Sequence, residues 1–210
     1  MPEPADRPPP PVPRRPSLRA LRESAQACRA CELWQGTTQA VVGVGRRDAR
    51  LMLVGEQPGD REDVEGRPFV GPAGRILERG LQLADIARRD VFVTNVVKHF
   101  RYRARGRRRI HQRPERVHVA ACRPWLDAEL ALIRPDAVVC LGATAAQGLL
   151  GPDVRVKRDR GRPIESELAE HVSLTIHPSA ILRVRDESDR QDAMDEFVAD
   201  LANVAAWLRD

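Results

Sequence analysis

Between Lys98 and Arg113 the chain carries seven arginines (Arg101, Arg103, Arg105, Arg107, Arg108, Arg109 and Arg113), and the run RGRRRIHQRP at its end holds one histidine, His111. Such a concentration of charge has two readings. A solvated basic loop would hold a polyanion by electrostatics alone. Alternatively, the arginines deliver a polyanion to a histidine that does chemistry, since a neutral imidazole is a capable nucleophile. A second group is the C-x-x-C pair Cys28 and Cys31 in ACRACELW, a spacing that lets two thiolates reach one metal. A thioredoxin-type redox pair fits less well, because no strand precedes the motif to present it. Cys122, in AACRPWL, reads either as a core residue or as a third ligand. Cys140, inside the apolar run DAVVCLG, reads as core.

The composition narrows the partners. A chain of 210 residues suits one domain with a full core. Its 35 basic and 30 acidic residues leave a net charge of +5, so the basic excess is local and suits a polyanion bound at one face. No apolar run approaches the roughly 20 residues of a membrane span. The opening MPEPADRPPPPVPRRPS lacks the apolar centre of a signal peptide and reads as a disordered proline-rich arm over residues 1–17. One ordered domain is expected over 18–210, in a cytoplasmic protein.

Strand and helix patterns alternate along that domain. Apolar runs at 49–55, 90–95, 136–142 and 171–176 read as strands. Residues 73–86, 115–133, 143–151 and 189–208 read as helices, with a kink expected at Pro124 and an apolar face of Phe197, Leu201, Val204 and Leu208 on the last. The basic segment reads as a loop. Alternation of this kind predicts a three-layer α/β/α fold around a mostly parallel four-stranded sheet. Ligands of such sheets bind beyond the carboxyl ends of the strands. There the chain places GEQPGD, TNVVKH, GATAA and HPSA, four clusters of small and polar residues on one edge.

Taken together, GEQPGDREDVEGRPFVGPAGRIL, VFVTNVVK, PDAVVCLGATAA and TIHPSAIL resemble the uracil-DNA glycosylase superfamily, specifically its iron–sulfur branch. GEQPG combined with an arginine-rich segment ending RRIH resembles the X-type members, which bind uracil-DNA covalently. The X-type segment typically has a lysine where this chain has Arg107. The resemblance runs from about Ala27 to the closing helix.

On that resemblance, the chemistry required is base flipping and cleavage of an N-glycosidic bond. Phe69 resembles the family's stacking phenylalanine; the alternative is a core ring. Asn95 matches the asparagine that reads the pyrimidine edge, an amide offering a donor and an acceptor at once; the alternative is a turn cap. His177 would donate to uracil O2, where negative charge develops. His111 would capture C1′ of the oxocarbenium-like sugar, and Glu56 would orient it and stabilise the cation. Gln57, Gly55 and Asp60 are expected at the substrate, with backbone donors from the turn at Gly55 to Gly59. Arg107, Arg108, Arg109 and Ser179 are expected at the DNA phosphates.

The resemblance also implies a cluster. Turnover enzymes of the family read VKC where this chain reads VKH, so the implied ligands are Cys28, Cys31, His99 and Cys122 around a 4Fe-4S cluster, with Cys140 left to the core. By residue type alone, zinc is equally compatible with these four. The expected activity is single-turnover uracil excision with covalent trapping; the alternatives are a multiple-turnover glycosylase and a non-enzymatic iron–sulfur DNA-binding protein. The expected partner is uracil-containing DNA, single- or double-stranded, bound by a monomer away from any membrane.

Overall fold

A computed structural model describes residues 8–209. Residues 1–7 of the expected proline-rich arm lie outside the described residues. Residues 8–16 form no helix or strand, and Val12 packs against the buried cluster of Leu21, Ala25 and Trp125, so the chain touches the domain ahead of its first helix. That helix, α1 (Leu18–Ala25), starts where Ser17 accepts a hydrogen bond from the Ala20 amide.

Four parallel strands make the central sheet: β1 (Leu51–Gly55), β2 (Val91–Asn95), β5 (Ala137–Leu141) and β6 (His171–Thr175), in the order β2-β1-β5-β6. Each is apolar almost throughout because both faces are covered. Leu51, Leu53, Val91, Val93, Val139 and Leu141 pack on one face, against α3 (Pro72–Leu83) and α8 (Glu187–Trp207). Met52, Val54, Phe92, Val138, Cys140 and Leu174 pack on the other, against α4 (Arg116–Ile133) and α5 (Ala143–Leu150). The period of two along each strand thus divides the core into two layers. Cys140 lies wholly within the second, and burial pushes its thiol up to about 12. On α8, Phe197, Leu201 and Val204 are buried as the spacing predicts, with Leu208 packed beside them. α4 runs through Pro124 without interruption. Short helices α2 (Asp60–Glu65), α6 (Val156–Asp159) and α7 (Pro178–Arg183) fill connections that sequence patterning leaves as loops. Among the described residues no helix is long and apolar enough to cross a membrane.

Two expectations need correction. The basic segment is not a loop but an antiparallel hairpin, β3 (Tyr102–Arg105) and β4 (Arg108–His111), turning at Gly106. Nor does Lys98 belong with its solvated charges. It is 1 % exposed and pairs with Glu129 of α4 at 2.8 Å. Two buried charges persist only when paired and further hydrogen-bonded. Here Lys98 also donates to Thr94 Oγ1 and the Asn95 carbonyl, while Glu129 accepts from Thr94 Oγ1 and the Gly43 amide.

Candidate active site

The carboxyl ends of all four parallel strands open onto one cavity of about 630 Å3. Of the residues singled out from the sequence, Glu56, Gln57, Asp60, Phe69 and Asn95 line it, as do His111, His177 and Ser179. Gly55 lies immediately beneath, for a Cβ there would come within 2.4 Å of Asn95 Oδ1 and 2.7 Å of the Phe69 ring. Phe69 is held in the left-handed region at φ 57°, unusual for an aromatic residue. Gly74 permits this, because a Cβ at 74 would stand 1.7 Å from the Phe69 carbonyl oxygen. The ring stacks 5.8 Å from that of His177.

Along this wall the polar groups stand at the ends of the strands. Asn95 ends β2 beside Gly55 and is 2 % exposed, yet its Oδ1 has no hydrogen-bond partner. A buried acceptor left unpaired costs about 1–3 kcal/mol. The oxygen is therefore poised for a donor from the cavity. His177 precedes α7, and its Nδ1 accepts from the Ser179 amide at 3.1 Å. That bond fixes the neutral tautomer with its proton on Nε2. Burial, with Arg183 and His111 nearby, lowers the His177 pKa to about 4, so the ring stays neutral.

The opposite wall is the hairpin. Gln57 anchors its base: Nε2 donates to the Arg101 and Gln112 carbonyls, and Oε1 accepts from the Arg101 amide. Arg109 lies over the Phe100 and Tyr102 rings and pairs with Asp60 and with fully buried Asp63, each at 2.5 Å. Arg109 and Asp60 thus hold each other, whereas Arg107 and Arg108 stand exposed at the tip. Ser179 is engaged with His177 and accepts from Arg183.

At the junction of the two walls, His111 Nε2 lies 3.3 Å from Glu56 Oε1 and 2.9 Å from Gln57 Nε2. With its proton on Nε2 the ring donates to Glu56. In the other tautomer Nε2 is unprotonated and its lone pair is open to the cavity, since both Gln57 Nε2 hydrogens are taken by the Arg101 and Gln112 carbonyls. Burial lowers the His111 pKa, with Arg183 acting in the same sense and Glu56 against it, so the neutral ring prevails near neutrality. Glu56 Oε2 accepts from the Thr144 hydroxyl, and Thr144 Oγ1 in turn accepts from Arg113 Nε at 3.0 Å. Residue-by-residue reading of GATAA did not single out Thr144, and counted Arg113 only as charge.

Cys28, Cys31, His99 and Cys122 are all buried, Cys122 on α4 itself. The Cys31 and Cys122 thiols contact one another, and this contact together with burial raises the Cys122 pKa well above its ordinary value. Trp125, one helical turn beyond Cys122, donates to Cys28 Sγ at 3.4 Å. Burial lowers the His99 pKa to about 4, despite the pull of Asp63, which leaves a neutral imidazole. Among the described residues no three or more His, Cys, Asp or Glu side chains converge on a single ion position. Three buried thiols and a neutral imidazole nevertheless match, in donor chemistry, what an iron–sulfur cluster requires.

An open parallel sheet with a cavity at its carboxyl edge, walled by an aromatic ring, an amide and two imidazoles, makes this an α/β protein with its candidate site where the strands end. The uracil DNA glycosylase superfamily model matches residues 42–202. Over 86 % of this chain and 91 % of its own length, a Type-4 uracil-DNA glycosylase of Thermotoga maritima is 38 % identical. Type-4 uracil-DNA glycosylases of Pyrobaculum aerophilum and Archaeoglobus fulgidus are 36 % and 35 % identical, each over 79 % of this chain and over 85 % and 83 % of their own lengths. The chain belongs to the uracil DNA glycosylase superfamily.

Proposed function

We propose that this protein excises uracil from DNA and that His111 then captures the sugar. The excision reading rests on the unpaired Asn95 Oδ1 facing a cavity walled by Phe69. Uracil N3–H donates to that oxygen, and the Asn95 amide donates to O4. Cytosine has no proton on N3 and would leave the oxygen unpaired, the kind of penalty that gives strong discrimination. Phe69 replaces the stacking lost when the base leaves the helix.

Cleavage breaks the C1′–N1 bond, and the electron pair departs with uracil. His177 Nε2–H donates to O2, where the charge accumulates, and the Glu56 carboxylate stabilises the cationic sugar. The Nε2 lone pair of His111 then forms the C1′–N bond. The resulting imidazolium keeps its Nδ1 proton and sits against Glu56, and the uracil anion takes a proton from water. An N-alkylated imidazole is a poor leaving group, so the adduct persists. His111 lies where a water held by Glu56 would otherwise attack.

We further propose that Cys28, Cys31, His99 and Cys122 hold a 4Fe-4S cluster. When bound, it would tie the segment before β1 to α4 and to the end of β2. Brown protein with a broad visible absorption is expected from anaerobic purification; colourless protein with stoichiometric zinc would overturn this assignment.

The deciding experiment is a denaturing gel of the protein with a uracil-containing oligonucleotide, run beside a measurement of free uracil. A heat-stable shifted band and one uracil per protein are expected. Uracil released far beyond the protein concentration, without a band, selects the reading as a multiple-turnover glycosylase. Equal binding of uracil and normal DNA with no release would leave only a DNA-binding protein.

A further inference from the structure

The polar chain behind Glu56 has an unambiguous direction. Arg113 Nε is only a donor, so Thr144 Oγ1 must accept from it. An ionised carboxylate is only an acceptor, so the Thr144 hydroxyl must give its single proton to Glu56 Oε2. This occupies one carboxylate oxygen and leaves the other, Oε1, turned toward His111 and the cavity. Thr144 is 8 % exposed and held on the first turn of α5, directly after β5, so its hydroxyl is rigidly presented. Arg113 is further steered by Gln147 of the same helix.

We propose that Thr144 is a positioning residue for uracil excision, fixing the rotamer and outward lone pairs of Glu56, and that Arg113 orients its hydroxyl. The assignment rests on the reading of Glu56 as the group that stabilises the cationic sugar. Without the hydroxyl the carboxylate rotates freely, and the energy to reorient it must be supplied during bond cleavage. Binding of the flipped base, which uses Asn95 and Phe69, does not involve this chain.

The test uses the full-length protein, a uracil-containing single-stranded oligonucleotide for single-turnover release of uracil, and a 2′-fluoro-deoxyuridine oligonucleotide as an uncleaved probe of affinity. Thr144→Val keeps the side-chain shape and removes the hydroxyl. It should slow release roughly 10- to 100-fold, the range for losing one charge-assisted hydrogen bond, with affinity for the probe within about 2-fold. Thr144→Ser restores the hydroxyl and should recover most of the rate. Arg113→Lys keeps the charge but loses the planar Nε donor, and should fall between them. A Thr144→Val protein that releases uracil at the wild-type rate overturns the assignment alone. So does a Thr144→Ser protein as slow as Thr144→Val, or a Thr144→Val protein whose affinity falls as far as its rate. Wild-type protein that releases no uracil overturns the excision reading and this assignment with it.

Discussion

The two walls of the cavity are built on different physical plans. The wall at the sheet edge comes from the ends of β1, β2 and β6: Gly55 and Asn95 are paired in the β1–β2 register, and the Ser179 main-chain amide holds the His177 ring. The hairpin wall is an exposed two-stranded ribbon, and two strands alone are marginal in water. It is held to the domain by side chains, at Gln57, at Arg109 with Asp60 and Asp63, and through the Tyr102 hydroxyl to the Gly36 carbonyl. Rigid backbone suits discrimination between bases, where an error of a fraction of an ångström admits the wrong one. A tethered ribbon suits delivery of a side chain to a site already formed at the sheet edge, as the capture proposed for His111 requires.

That division predicts separable losses, the largest at His111. His111→Ala should abolish the denaturation-resistant complex, because alanine offers no lone pair to C1′. Cleavage should survive, since Asn95, Phe69, His177 and Glu56 are intact, and water can enter the vacated space. Free uracil should then exceed the protein concentration. A heat-stable band from His111→Ala would assign capture to another residue and end the separation of the two walls.

On the other wall, Asn95→Ala should weaken the preference for uracil by about 1–3 kcal/mol, the cost of one buried hydrogen-bonding group. Competition between uracil- and cytosine-containing oligonucleotides measures it. Binding through the arginines should hardly change. An undiminished preference would remove Asn95 from base reading and leave its orphan oxygen unexplained.

How far these walls are legible in the sequence follows from the same difference. The parallel strands declare themselves as unbroken apolar runs, and the carboxyl-edge rule then points at Glu56, Asn95 and His177 before any geometry is known. The hairpin does not. Its strands, YRAR and RRIH, show no apolar alternation, because it packs little on the core and is held by Arg109 reaching acids 46 and 49 residues earlier. Lys98 reads as part of the basic segment because nothing local reveals Glu129, 31 residues on. Thr144 was invisible for the same reason: its hydroxyl acquires meaning only from Glu56, 88 residues away. Pairings across the fold decide what a polar residue does, and a local window does not contain them.

A smaller effect should appear in the pH dependence of adduct formation. The proposed capture requires unprotonated His111, and burial holds its pKa below the ordinary 6.5, with Glu56 opposing and Arg183 helping. The rate should therefore be level through neutral pH and decline only as the pH falls through that lowered value. Arg183→Gln removes a cationic neighbour and should move the decline to higher pH; Glu56→Gln removes an anionic one and should move it lower, on a slower overall rate. Gel-quantified rates between pH 5 and 8 test both directions. An unchanged limb in both variants would separate the acid decline from His111.

The smallest expected effect tests whether the hairpin's arginines are alike. Arg107 and Arg108 are exposed at the tip, while Arg109 is committed to Asp60 and Asp63. An arginine already paired within the protein neutralises no phosphate and releases no counterion, whereas a free one does both. For single-stranded DNA each phosphate contact contributes roughly −0.7 to the slope of log affinity against log salt. Removing Arg107 and Arg108 together should therefore flatten the slope by up to roughly 1.4, weakening uracil and normal oligonucleotides equally. Arg109→Ala should leave the slope nearly unchanged and instead slow adduct formation, because the ribbon carrying His111 loses its tie to α2. If Arg109→Ala flattens the slope as its neighbours do, its pairing with the two aspartates yields to DNA on binding. The hairpin would then be a phosphate clamp along its whole length, and the contrast between anchored base and free tip would fail.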